Sequence, residues 1–256
     1  MIKITFLGTG TSQGIPVIGS DHPVSFSDDL KDKRLRSSIL IEYKDFNFVI
    51  DCGPDFRQQM LRTNCRKLDA IIFTHEHADH TTGIDDVRPY FFRQGKIPIY
   101  LHERVLNSLH NRFAYIFDPK QKYPGAPDFE VNLITKENDF KILGLNITPI
   151  ESVHYKLPVL GFRLGKFAYL TDVKTISDKE MLKLNGLDTL VINALRYESH
   201  PSHLNIEEAL EIIDQVKPKQ TFFTHISHNM GFHKEVCSNL PKSVSLAFDG
   251  LVLEVD

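Results

Sequence analysis

Within Thr74-His75-Glu76-His77-Ala78-Asp79-His80 the chain places three imidazoles and two carboxylates. The segment follows the apolar run Ala70–Phe73 and precedes Gly83, so these side chains belong to a loop at the carboxyl end of a strand. Histidine with carboxylate is the donor set of zinc, manganese and iron sites. Three further donors occupy the same kind of position: His154 after Ile147–Ile150, Asp172 after Phe167–Thr171 and His225 after Thr221–Thr224. If those strands are neighbours, their ends converge on one edge, where loops held by a rigid scaffold carry function. Five imidazoles and two carboxylates are too many for one tetrahedral ion and suit two adjacent divalent ions sharing a bridging group.

The rest of the chain supplies a scaffold for such an edge. Strand-type runs are expected at Ile2–Leu7, Ser38–Tyr43, Phe46–Ile50, Ala70–Phe73, Ile97–Leu101, Leu145–Ile150, Val159–Leu164, Phe167–Leu170, Thr189–Ile192, Gln220–Thr224, Val244–Phe248 and Leu251–Val255. Helix-type periodicity marks Asp55–Thr63, Glu103–Phe113, Asp178–Leu184, Ile206–Val216 and Phe232–Leu240. Strands and amphipathic helices mixed along the whole length predict an α/β fold of four layers, an αββα sandwich, in one domain spanning residues 1–256. Asp249-Gly250 between two apolar runs predicts a closing β-hairpin. Asp118–Pro127, with three prolines and a glycine, reads as a surface excursion.

Charge and cysteine use narrow the setting. A formal net charge of −3 provides no broad basic field, so any phosphate is to be met locally. No apolar stretch reaches the roughly 18 residues of a membrane-spanning helix, and the start Met1–Leu7 has no leader pattern. Three widely spaced cysteines, Cys52, Cys65 and Cys237, do not form a disulfide framework, and a reducing cytoplasm is the expected location. Cys52 reads as a small buried hydrophobe.

The pattern His75-x-His77-x-Asp79-His80 with separated His154, Asp172 and His225 resembles the metal-binding pattern of the metallo-β-lactamase superfamily. The likeness extends from Gly8-Thr9-Gly10-Thr11-Ser12-Gln13-Gly14-Ile15-Pro16 through Asp51-Cys52-Gly53-Pro54-Asp55 to Thr224–His228 and Phe248-Asp249-Gly250, and is greatest to the phosphonate-pathway, PhnP-type cyclic phosphodiesterases. The resemblance implies that His75, His77 and His154 hold one ion, that Asp79, His80 and His225 hold the other, and that Asp172 bridges. It further implies hydrolysis of a small, even cyclic, phosphodiester by hydroxide generated on two zinc or manganese ions, with iron also compatible. His203 matches a catalytic histidine of that branch and is the candidate acid for the departing alkoxide, with His200 a competitor. Asp79 is expected to orient the attacking water as well as bind metal. A homodimer belongs to the same set of implications.

His228 is a candidate for a bond that fixes the ring of His225, or else a solvated loop residue. Arg196 and Arg88 are candidate phosphate contacts. Glu76 lacks the histidine three residues later that a His-Glu-x-x-His protease requires. Gly8-Thr9-Gly10 lacks the further signals of a nucleotide loop and reads as a tight turn near the site. Many relatives of this branch carry a cysteine cluster after the first glycine segment. Ser20–Ser25 here offers no thiolate, so Gly19–Lys33 is to be held by packing and hydrogen bonds, or left mobile, and His22 is expected at the surface. Two rival functions remain: a tRNA 3′-processing ribonuclease, less favoured because the charge is slightly acidic and the Asp118–Glu137 region is short, and a non-catalytic metal-binding module.

Overall fold

The computed structural model describes residues 1–255. Its strands are β1 (Ile2–Gly8), β2 (Ser38–Tyr43), β3 (Phe46–Ile50), β4 (Ala70–Ile72), β5 (Ile97–Leu101), β6 (Phe129–Leu133), β7 (Phe140–Ile142), β8 (Leu145–His154), β9 (Leu157–Leu164), β10 (Phe167–Leu170), β11 (Thr175–Ile176), β12 (Thr189–Asn193), β13 (Gln220–Thr224), β14 (Val244–Leu246) and β15 (Val252–Val255). Its α-helices are α1 (Phe56–Thr63), α2 (Ala78–Thr81), α3 (Arg88–Gln94), α4 (Glu103–Arg112), α5 (Ala114–Phe117), α6 (Asp178–Met181), α7 (Ile206–Val216) and α8 (His233–Asn239). One sheet has the order β15-β1-β2-β3-β4-β5-β6; the other runs β11-β8-β9-β10-β12-β13-β14, with β7 on β8.

Alternation of side chains across each strand assigns the layers. Ile4, Phe6, Ile41 and Phe48 of the first sheet pack against Phe162, Tyr169, Val191 and Phe222 of the second, forming the core between the sheets. The intervening positions point outward. Leu40, Val49 and Ile71 pack with Phe56, Val105 and Leu109 of the first helical layer, while Ala168, Leu190 and Phe223 pack with Ala209, Ile213 and Val236 of the second. Strands covered on both faces read as continuous apolar runs, which is why they were legible without a clean alternation. The expected αββα sandwich is the observed fold.

The closing hairpin is not formed. β14 pairs in parallel with β13, whereas β15 pairs antiparallel with β1, so the chain crosses from one sheet to the other at Asp249–Gly250. The reason is tertiary. Asp249 turns inward to accept bonds from Thr9 Oγ1 and Leu35 N, each at 2.8 Å, which ties the crossing to β1 and the segment before β2. The region Asp118–Glu137 contains β6, completing the first sheet through parallel pairing with β5. Of the two alternatives for Gly19–Lys33, the structure has the segment held by packing and hydrogen bonds, without thiolates. Val24 and Asp32 are buried, Ser27 Oγ donates to Asp32, and Asp32 accepts the His233 N–H at 2.7 Å.

Candidate metal centre

The loops that follow parallel neighbours β3 and β4 interlock. Cys52 N donates to the His80 carbonyl at 2.8 Å and Gly83 N donates to the Cys52 carbonyl at 2.9 Å. This approach needs residues without Cβ: one built on Gly53 would fall 2.0 Å from the Asp79 carbonyl oxygen, and one on Gly83 would fall 2.1 Å from that of Gly53. Cys52 itself is a buried apolar residue of the outer core. The Gly8–Gly14 turn joins the same edge, since Ile226 N donates to the Thr9 carbonyl at 2.9 Å beside His225.

Asp51, Asp172 and His225 immediately follow or lie just beyond strand ends, and all three adopt left-handed backbone, with φ of 68°, 58° and 54°. Non-glycine residues in this region are uncommon and gather at sites where function constrains the chain.

Hydrogen bonds set the ring orientations. The Thr74 hydroxyl donates to Asp51 and therefore accepts from His75 Nδ1 at 2.9 Å. His80 Nδ1 lies 2.7 Å from Asp51 Oδ2, and His154 Nδ1 donates to the Ser202 carbonyl at 2.7 Å. In each ring Nδ1 is spoken for, so Nε2 is left to face the site. The Nε2 atoms of His75 and His80 are buried and make no aligned hydrogen bond. His80 Nε2 lies 3.1 Å from Asp79 Oδ2 and 3.2 Å from Asp172 Oδ2. Donor atoms of His75, His80 and Asp172 lie within 4.8 Å of one another, as do those of Asp79, His80 and His225, and those of His154, Asp172 and His203. The exposed His77 ring completes the cluster at 4.6 Å from that of His75 and 5.2 Å from that of His154.

Electrostatics agree with a cation-binding role. Burial, reinforced by the charge of His80, holds His75 well below the usual imidazole range. Burial likewise lowers His154 and brings His225 to about 4, so these rings are neutral at pH 7, the form that ligates metal. Burial disfavours charge on His80, but Asp79, Asp51 and Asp172 together outweigh it and hold that ring well above its ordinary value. Asp172, though buried, is kept ionised chiefly by His225 and His80. Orphaned buried ring nitrogens converging on ionised carboxylates fit a divalent cation.

His203 reaches the same centre from the loop before α7. Its Nε2 lies 3.1 Å from Asp172 Oδ1, while Nδ1 lies 3.1 Å from His200 Nδ1 and 3.0 Å from Ser202 Oγ. The loop is anchored by the capping box of α7, in which Asn205 and Glu208 each bond the other's backbone N–H. Arg196 braces this loop by donating to the carbonyls of Glu198 and Ser199. Arg88 is engaged by Asp85 and lies beside Tyr115 and Tyr123. His228 meets His22 edge-on at 5.2 Å, and His22, half-buried, caps the turn Pro23–Phe26. A cleft of about 510 Å³ opens on the centre, lined by His77, His154, Tyr155, Lys156, Leu157, Pro201 and Ser202.

A family model described as the beta-lactamase superfamily domain matches residues 46–226. The chain belongs to that superfamily. It is a metallo-β-lactamase superfamily hydrolase of PhnP type: a crystal structure described as a new diphosphatase from the PhnP family is 39% identical, with a TM-score of 0.91 over 98% of this chain and 96% of that one. The octanoyltransferase of Porphyromonas gingivalis is 37% identical over 100% of this chain, which spans 52% of that protein. The ribonuclease Z of Anoxybacillus flavithermus is 20% identical, covering 100% of this chain and 96% of that protein. Among the described residues, no helix of this superfamily hydrolase is long and apolar enough to cross a membrane.

The role of Asp51 toward His80 is not among the expectations from the sequence, although Asp51-Cys52-Gly53 lies within the family resemblance. The available signal was a carboxylate directly after a run buried to its last residue, Phe48–Ile50.

Proposed function

We propose that this chain hydrolyses small phosphodiesters in the cytoplasm at a centre of two divalent ions, zinc or manganese. The observation that carries this reading is the convergence of two orphaned buried nitrogens, His75 Nε2 and His80 Nε2, on Asp172, within groups that share His80 and Asp172. His75, His77 and His154 would hold one ion, Asp79, His80 and His225 the other, with Asp172 between them. Its two oxygens already face different partners: Oδ1 toward His203, Oδ2 toward His80 and His225. Bound ions would supply Lewis acidity and a nucleophile available near neutral pH.

The chain's own residues do the rest. Asp79, at the centre yet not sealed from solvent, orients the attacking water and takes its proton, the water oxygen bonding to phosphorus as the ester P–O bond breaks. His203, with 12% of its side chain exposed beside the cleft, gives its proton to the departing alkoxide; His200 holds the other side of that ring. A cleft of about 510 Å³ matches a compact organic ester, since pockets of about 300–1,000 Å³ enclose ligands of that size. Three free cysteines, one of them fully buried, support a reducing compartment.

A second reading, processing of tRNA 3′ ends, is favoured by the ribonuclease Z relatives. Turnover of bis(p-nitrophenyl) phosphate and of p-nitrophenyl phosphate, with metal content measured on the same protein, tests the first. Diester cleavage with about two ions per chain is expected. Metal-loaded protein that leaves both esters intact but cleaves precursor tRNA would replace it with the second.

A further inference from the structure

We infer that Thr171 is a positioning residue of the metal centre: its one buried hydroxyl sets both the carboxylate of Asp172 and the ring of His225, and the phenol of Tyr169 backs it as a hydrogen-bond donor. The inference rests on the divalent-metal reading of the centre above and is independent of the ester cleaved there.

At the ends of three strands a threonine stands directly ahead of a candidate ligand: Thr74 before His75, Thr171 before Asp172 and Thr224 before His225. All three threonines are fully buried. Valine would fill the same space with no hydroxyl to desolvate, so each hydroxyl is a cost unless it is bonded. Thr74 is bonded, to Asp51 and His75. Thr171 repeats that pattern in the second sheet, where its Oγ1 donates to Asp172 Oδ2 at 2.7 Å and lies 3.4 Å from His225 Nδ1. Thr224 does not, since its Oγ1 makes no hydrogen bond.

The bonds of Thr171 decide which way two ligands face. His225 Nδ1 also lies 3.3 Å from Asp172 Oδ2, so ring, carboxylate and hydroxyl form one closed group. A neutral imidazole carries a single N–H; with the hydrogen on Nδ1, toward this group, Nε2 keeps its lone pair for a cation. The hydroxyl proton pins Oδ2 of Asp172 and with it the plane of the carboxylate, whose Oδ1 faces His203.

A hydroxyl oxygen accepts two bonds as well as donating one, and Tyr169 is the second donor to Thr171. The tyrosine lies in the core between the sheets, fully buried, and its hydroxyl makes no aligned bond. Thr171, two residues on at the end of the same strand, is the side-chain hydroxyl beside it. Burial, with the charges of Asp51 and Asp172, holds the phenol above its ordinary value, so it keeps a hydrogen to give. Phenylalanine would serve an apolar core without that hydroxyl, and its presence is accounted for by the bond to Thr171.

The probes are Zn²⁺, titrated into the full chain against a chromophoric chelator, and the d–d absorption of Co²⁺, with the thermal midpoint measured on the metal-free protein. The wild type is expected to take about two Zn²⁺. Thr171→Val should weaken Zn²⁺ by about 10–100-fold, the scale of a lost bond that orients a ligand, and alter the Co²⁺ spectrum. Thr171→Ser restores the hydroxyl and should stay near the wild type in both, although loss of a buried methyl lowers its midpoint more than valine does. A merely structural threonine would give the opposite order, with affinity following stability. Tyr169→Phe should weaken Zn²⁺ by about 2- to 10-fold, the scale of one neutral hydrogen bond, and add nothing in the Thr171→Val background. Thr224→Val has no bond to lose and should leave Zn²⁺ affinity unchanged. Wild-type affinity in Thr171→Val, an equal loss in Thr171→Ser or an equal loss in Thr224→Val overturns the proposal, while two ions in the wild type uphold the metal reading. Additive losses in the double variant overturn the part given to Tyr169. A wild type that binds no Zn²⁺ removes the metal reading and the proposal with it.

Discussion

His80 Nδ1 lies 2.7 Å from Asp51 Oδ2, with both side chains fully buried. The bond directs His80 Nε2 toward Asp79 and Asp172, and Asp51 also accepts from the backbone N–H of Thr74 at 2.8 Å. One carboxylate thereby orients a candidate ligand and the loop that holds another. Removing such a partner ordinarily costs about 10–100-fold in metal affinity. Asp51→Ala is expected to lose metal on that scale in a chelator competition titration, and unchanged affinity would limit Asp51 to a structural role.

His203 is expected to act on the leaving group. His203→Ala should retain bound metal while losing about 10²–10⁴-fold in turnover of alkyl diesters, with a much smaller loss on p-nitrophenyl esters, whose leaving group needs little protonation. Equal losses on both, or loss of metal, would place His203 among the ligands, where its grouping with His154 and Asp172 also allows it.

Arg104 links the loop after β4 in one sheet to strand β9 in the other, through Glu76 and the Pro158 carbonyl. Lysine is a point charge without the fork that makes both bonds. Arg104→Lys should lower stability by about 1–3 kcal/mol, read as a shift of the denaturation midpoint, and raise KM more than it lowers kcat. A variant with wild-type KM would show that the β8–β9 hairpin holds its place unaided.

His233 offers a pH dependence outside the metal centre. Burial, with the nearby charges of Arg34 and Lys31, brings its pKa down to about 4 despite Asp29 and Asp32; Arg34 Nη2 lies 3.3 Å from its Nδ1 and Cys237 Sγ 3.7 Å from its Nε2. The folded-state value is below the unfolded one of about 6.5, so between those values the unfolded chain binds more protons. This contribution to stability is complete above pH 6.5 and is lost as pH falls toward 4, on the order of 3 kcal/mol. His233→Gln should flatten the fall in melting temperature over that window relative to the wild type. Parallel curves would assign the acid sensitivity to other groups.

The candidate ligands and most strands were legible in the amino-acid order because both are local signals. A strand buried on both faces is an apolar run whatever it pairs with, and a donor directly after such a run is at its end. Strands such as β6, Phe129–Leu133, with exposed Glu130, Val131 and Leu133, carry too little apolar pattern to be read this way. Tertiary structure alone decided that the chain leaves β14 in one sheet and enters β15 in the other, because the partner of Asp249 is Thr9, at the opposite end of the sequence. It alone decided that Asp51 serves His80 and that Arg104 reaches Pro158. Those bonds join residues separated by 29 and 54 positions, and no local pattern specifies a contact that depends on where two sheets bring their edges together.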